Sequence, residues 1–202
     1  MQGKFVVFEG LDGSGQSTQV KLLADYLLAK GQQVLVTKEP TKNSPFASEI
    51  RRALTEKERI LAGDLQMLFA KDRKWHIKKV IEPALTKGEW VISDRYVFSA
   101  FAFGVASGLS QKEIETMNAN YLRPDLVFFI NTSPEICIER IMKRGEGVDL
   151  FEKLPILQKV SENYHLLFQK NTLLNVFIID GNKSISDVFE QIKKILQGQT
   201  LQ

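Results

Sequence analysis

Five short runs of β-branched and aromatic residues recur along the chain: FVVFE (5–9), VLVT (34–37), WVIS (90–93), LVFFI (126–130) and VFIID (176–180). A strand that is apolar at successive positions has no face to give to water, so each run predicts a strand covered on both sides. Between them lie amphipathic segments that predict helices over 17–30 (ending at Gly31), 57–82, 95–107, 110–120, 134–143, 152–170 and 184–197. Pro40 and Pro45 interrupt the segment after the second run, which predicts a loop and a short helix near 46–54. Strand and helix in regular alternation define an α/β fold, a five-stranded parallel sheet with helices on both faces. The 202 residues suit one domain, 1–202. Such sheets bind ligands at the carboxyl ends of their strands. Glu9-Gly10, Lys38-Glu39-Pro40 and Asp94-Arg95 stand at three of those ends and are expected to line one crevice.

Net charge is +3, and no run of Lys and Arg argues for nucleic acid. The one cysteine, Cys137, excludes an internal disulfide and sits in the apolar rhythm of PEICIERIM, as a core residue does. His76 and His165 stand alone on helix-like stretches, where packing is the expected role. The apolar run in MQGKFVVF is too short for a signal peptide, and no segment approaches a membrane span, so a cytoplasmic protein is expected.

EGLDGSGQST (9–18) follows the first strand and opens the first helix. Gly10, Gly13 and Gly15 exceed what a tight turn needs, and a glycine-rich turn there forms a nest of backbone N–H groups for phosphate. The usual pattern is G-x-x-x-x-G-K-[ST], with the hydroxyl on Mg²⁺. Here Ser17 (with Thr18 as the alternative) supplies that hydroxyl, and Gln16 stands in the lysine's place. The pattern without lysine arises by chance in about one such chain in ten. Its placement between a buried strand and an amphipathic helix carries the argument.

FEGLDGSGQSTQ, TKEPTKNSPFASEIRRAL, LFAKDR (68–73), SDRYVFSAFAF (93–103) and RIMKRGEGVDLFEK with LQKVSENY occur in that order. Together they resemble the thymidylate kinases, P-loop nucleoside monophosphate kinases that phosphorylate dTMP, over nearly the whole chain. The resemblance implies ATP and dTMP as partners, Mg²⁺ with the ATP, a homodimer, and a short lid near 141–153. It implies ATP binding by Gly10, Leu11, Asp12, Gly13, Ser14, Gly15, Gln16, Ser17, Thr18 and Arg140. For dTMP it implies Asp12, Glu39, Pro40, Arg51, Phe69, Arg73, Arg95, Ser99 and Phe103. Phe69 is expected to stack on thymine, Arg73 to reach a base oxygen, and Arg51 and Arg95 to hold the phosphate. Ser17 and Asp94 are implied at the metal, and Asp12, Gln16, Arg95 and Arg144 in catalysis. Arg140 and Arg144 are expected from the lid over the ATP phosphates, with Asp149 and Glu152 anchoring it. The chemistry suits these types: arginine's fork matches phosphate oxygens, and an aromatic face stacks on a base without choosing which.

The sequence departs from the family at four places. Gln16 replaces the lysine, Lys38 stands where an arginine usually precedes Glu-Pro, and Asn131 ends the fourth strand where Asp is common. Ala100 and Gly104 fall where hydrogen-bonding residues help read the base. One charge contact near 4 Å is worth about 4 kcal/mol at an effective dielectric of 20. Complete loss at position 16 corresponds to roughly a thousandfold in rate. Two other readings therefore stand beside the kinase: a catalytically impaired nucleotide-binding protein, and a kinase with relaxed acceptor choice that takes dUMP.

Overall fold

The computed structural model describes residues 3–55, 60–145, 150–170 and 175–199. The five apolar runs form strands β1 (Phe5–Gly10), β2 (Val34–Lys38), β3 (Trp90–Asp94), β4 (Leu126–Asn131) and β5 (Val176–Asp180). All pair in parallel in the order β2-β3-β1-β4-β5. From β1 the chain crosses to the β2 edge and returns to β3, then passes β1 to reach β4 and β5. The turn after β1 therefore lies at the sheet's centre, where the winding changes direction and a crevice opens.

Alternate residues of each strand feed two separate cores. Phe5, Val7, Val127 and Phe129 face one layer with Tyr96, Phe98, Leu157, Tyr164 and Phe168. Val6, Phe8, Phe128 and Ile130 face the other with Val20, Leu23, Val188 and Ile192. The first layer is built chiefly from α5 (Val97–Ala106), α7 (Pro134–Arg144) and α8 (Leu154–Lys170), the second from α1 (Gln16–Ala29) and α9 (Ile185–Gln199). Two strands differ from the expectation of full burial. Val36 in β2 and Ile178 in β5 are 49% and 55% exposed, because these strands form the sheet's two edges.

The long helix expected over 57–82 is a composite. An α-helical stretch, α3 (Ala62–His76), runs into a π-helical turn at Ile77–Ile81 and on into α4 (Glu82–Thr86). The widened turn falls just ahead of Pro83, which has no N–H to return to the carbonyl four residues back. Residues 57–59 of that expectation lie outside the described residues. The short helix near 46–54 is α2 (Ala47–Leu54), and the one expected over 110–120 is α6 (Gln111–Met117), opened by a Ser110–Glu113 capping box. It stops early because Asn118 turns its amide back onto the Ile114 carbonyl, at 2.9 Å. Among the described residues no helix is long and apolar enough to cross a membrane.

Cys137 is fully buried, as expected of a core residue, and burial pushes its thiol up to about 12. Phe129 anchors the first core: its ring centroid lies 5.0 Å from Tyr164 and 5.2 Å from Phe168. Phe129→Ala is expected to lower unfolding free energy by about 3–5 kcal/mol, since the cavity lies between a strand and a packed helix. Urea denaturation of the two proteins measures it. A loss below about 1 kcal/mol would mean that α8 closes over the space.

Candidate active site

Behind β1 the chain makes the turn its glycines anticipate. Gly13 and Gly15 have φ of 80° and 95°, values that side-chain-bearing residues rarely adopt. Gly13 is doubly constrained, because a Cβ there would lie 2.5 Å from the Cys137 carbonyl oxygen. Gly15 caps α1 with no side-chain hydrogen bond, leaving the helix's first N–H groups turned toward the loop. Ser14 and Gln16 are buried, and Ser14 Oγ and Gln16 Oε1 have no hydrogen-bond partner. Gln16 folds back toward Gly10, whose absent Cβ would stand 3.1 Å from Gln16 Oε1. Rotating that amide by half a turn presents an NH₂ donor at the same place. Leu11 is buried in the first core below the loop, and Ser17 and Thr18 are exposed on the helix's opening turn.

Ser17 Oγ donates to Asp94 Oδ2 at 2.5 Å, and Lys38 Nζ reaches the same oxygen at 2.9 Å. Asp94 Oδ1 is buried and unpartnered. A hydroxyl and a carboxylate with an orphan oxygen, beside a phosphate nest, fit a hard divalent cation that takes its remaining ligands from phosphate and water.

Arg95 joins this loop to a cleft. Its backbone has φ 73°, the one positive value at a non-glycine among the described residues. The conformation costs of order 1–3 kcal/mol and is held by the surroundings. Arg95 N–H donates to the Phe8 carbonyl at 2.9 Å, and Ser93 Oγ donates to the Arg95 carbonyl at 2.7 Å. One guanidinium nitrogen donates to the Gly10 carbonyl (2.9 Å) and Ser99 Oγ (3.1 Å), the other to Asp12 Oδ1 (2.7 Å). The Phe103 ring lies 5.0 Å beneath. Burial opposes the guanidinium's charge, but Asp12, Asp94 and Glu9 outweigh it and hold Arg95 above its ordinary pKa.

Glu9 stands behind Arg95 and not in the crevice where it was expected. It is fully buried and accepts from Tyr96 N–H (2.9 Å), Ser99 Oγ (2.6 Å) and the Tyr164 hydroxyl (2.8 Å). Burial raises its carboxyl to about 7, although Ser99, Arg95 and Tyr164 pull the other way.

The cleft beside the loop has a volume of about 380 Å³. Asp12, Glu39, Pro40, Arg51, Phe69, Arg73, Arg95, Ser99 and Phe103 all line it, as do Arg144 and Glu152. Phe69 is half-buried there and so belongs to the cleft wall, although LQMLFA reads equally as core. Arg51 projects from the exposed face of α2. Arg144, at the end of α7, donates to Glu152 at 2.7 Å. Asp149, its expected companion, lies outside the described residues.

Two residues have partners that differ from the expectation. Arg140 donates to the carbonyls of Ser14 (3.1 Å) and Gly181 (3.3 Å), bracing the loop's carbonyl side instead of reaching over phosphates. Glu39 lines the cleft with its carboxylate engaged by two residues of α3. Its oxygens accept from Arg73 Nε (2.7 Å) and meet His76 Nδ1 (2.9 Å), whose other nitrogen lies 2.6 Å from Thr37 Oγ1. Arg73 also donates to Asn118 Oδ1 and, at 3.4 Å, to the Tyr96 carbonyl.

Several working residues went unmarked in the sequence. His76 orients Glu39. Asp72 holds the 41–44 loop through Thr41 N–H (2.9 Å), Thr41 Oγ1 (2.6 Å) and Ser44 Oγ. Asn118 accepts from Arg73, and Tyr164 donates to Glu9 behind Arg95. Glu9 carried a signal, a carboxylate closing a wholly buried strand; His76 and Asn118 carried none, since their partners lie far away in sequence.

A parallel sheet with a glycine-rich nest at its centre, a hydroxyl–carboxylate pair beside it and an arginine-lined cleft next door defines a P-loop phosphotransferase of the nucleotide kinase type. The chain belongs to the thymidylate kinase family, whose sequence model it matches over residues 8–192. A thymidylate kinase of Desulfotalea psychrophila is 36% identical, with 96% of each chain covered. A probable thymidylate kinase of Pyrococcus abyssi is 38% identical over 100% of this chain and 99% of its own. The thymidylate kinase of Thermosipho africanus is 36% identical over 96% of this chain and 97% of its own.

Glu9 sets a pH dependence. Its carboxyl ionises near 4.5 when unfolded and near 7 when folded, so the native state binds the extra proton between those values. The contribution to stability is complete below about 4.5 and is lost as pH rises through about 7. Relative to Glu9→Gln, the wild-type urea midpoint is expected to fall across that window. A difference between the two proteins that stays constant with pH would show that the Glu9 carboxyl titrates alike in the folded and unfolded states.

Proposed function

We propose that this protein transfers the γ-phosphoryl group of ATP to dTMP, giving dTDP and ADP. The observation that carries the reading is Arg95, whose guanidinium is shared between the phosphate loop, through Gly10, and the acceptor cleft, through Asp12. A group so placed lies between two bound phosphates. It is fixed before substrates arrive, so neutralising charge in transfer costs it little rearrangement. The names of the relatives support dTMP as the acceptor.

In this scheme the loop's N–H groups hold the donor phosphates, with Gln16 contributing an amide where lysine would bring charge. Ser17 and Asp94 would hold Mg²⁺, which spreads the negative charge of the ATP phosphates when bound. Arg51 and Arg95 grip the acceptor phosphate, Phe69 stacks on the base, and Arg73 donates toward a base carbonyl. Arg144, tethered to Glu152, closes the open side of the cleft and excludes water. Arg140 keeps the loop in shape. Asp12 orients Arg95 toward the acceptor. The protein acts as a cytoplasmic homodimer in this reading, with α3 as a dimer face. Leu61 and Met67, at its start and on its outward side, are 76% and 39% exposed.

The test is ADP formation from ATP, Mg²⁺ and dTMP by the protein as it stands, by Gln16→Lys and by Arg95→Ala. The protein as it stands is expected to turn over, and Gln16→Lys to raise kcat by up to about a thousandfold. Arg95→Ala is expected to cost about 10²–10³-fold in kcat/KM for dTMP. ATP binding without ADP formation in the first two proteins would sink the kinase reading.

A further inference from the structure

We propose that Gln66 reads the hydrogen-bonding edge of the acceptor's pyrimidine base, an inference that rests on the nucleotide kinase reading above. Gln66 is 2% exposed, lines the cleft, and its Oε1 is buried without a hydrogen-bond partner. A buried, unpaired amide oxygen is costly in an empty site and useful where a ligand supplies the missing donor. Its place on α3 tells which ligand group that is. Gln66, Phe69 and Arg73 are spaced i, i+3 and i+7, so they share one helix face, and all three line the cleft. The amide therefore stands in line with the aromatic ring proposed to stack on the base and the guanidinium proposed to reach its carbonyl.

The opposite wall makes room for it. Gly104 on α5 has no side chain, and a Cβ built there would lie 3.3 Å from Gln66 Cδ and 2.5 Å from Ile114 Cδ1. The amide fills space that a residue at 104 would otherwise claim. Neither Ala100 nor Gly104 offers a polar side chain, so α3 supplies through Gln66 the hydrogen bonds that α5 cannot.

A primary amide carries an acceptor and a donor side by side. In one orientation these match the N3–H and C4 carbonyl of thymine or uracil. Rotated by half a turn they also match cytosine, so the amide alone does not select among pyrimidines. Arg73 donates only, and its charge favours a base carbonyl over an amino group. Gln66 and Arg73 together select the imide edge. Neither side chain tells a 5-methyl group from hydrogen, and one methyl is a weak basis for choice.

The experiment compares wild type, Gln66→Met and Gln66→Glu with dTMP, dUMP and dCMP as acceptors, at saturating ATP and Mg²⁺. Met keeps the volume and removes the amide; Glu keeps an acceptor and removes the donor. Gln66→Met is expected to raise KM for dTMP and dUMP alike by about tenfold, with a much smaller change in kcat and none in KM for ATP. Gln66→Glu is expected to raise the same KM values at pH 8, where its carboxylate has no donor to offer the base carbonyl. A dTMP KM unchanged in Gln66→Met overturns the inference alone. If that variant does not fold, an unchanged KM in Gln66→Glu overturns it equally. Wild-type protein that phosphorylates none of the three acceptors sinks the kinase reading and this inference with it.

Discussion

The site depends on one buried cation. Arg95 is drawn into a left-handed conformation at the end of β3, so its guanidinium points across the crevice toward the carbonyl of Gly10 and the carboxylate of Asp12. Both sides of the active centre are referenced to it. The strain is borne by the sheet, through the bond from Arg95 N–H to Phe8, and by Ser93 holding the Arg95 carbonyl. Glu9 and Tyr164 stand behind it and reach it through Ser99. A buried arginine with no such partners would carry a prohibitive desolvation cost.

A second network positions the acceptor cleft by the same logic. Glu39 follows β2 directly and is pinned by Arg73 and His76, both on α3. Asp72, immediately before Arg73 in sequence, turns the other way and ties down the 41–44 loop. The face of α3 that carries Gln66, Phe69 and Arg73 is thereby locked against the strand ends. The phosphate-handling and base-handling parts of the cleft belong to one rigid frame, which suits a reaction whose catalysis is mainly positioning.

The departures from the family pattern acquire different meanings in this frame. Lys38 shares Asp94 with Ser17, so it delivers a point charge beside the phosphate loop where an arginine would deliver a fork. Gln16 keeps the lysine's place in the nest but not its charge. Gly104 is matched by an amide arriving from the helix opposite. Asn131 lies level with Asp180 of β5, and its carbonyl accepts from Gly181 N–H at 2.9 Å, a structural contact at the end of the sheet.

What the sequence by itself determined was the layered fold, the nest and most of the cleft. Apolar runs, their alternation with amphipathic helices and the glycine spacing are local patterns, set by burial of two strand faces and by φ values that glycine reaches freely. Phe69, Arg73, Asp94 and Arg95 were legible through spacing and resemblance. Only the tertiary structure decided how the polar groups pair: that Glu39 turns to Arg73 and His76, that Arg140 braces the loop, that Glu9 lies behind Arg95 at a raised pKa, and that Gln66 faces the space left by Gly104. Such pairings join residues 34 to 155 positions apart. A hydrogen bond depends on where two atoms come to rest in space, and nothing in a local pattern encodes that distance.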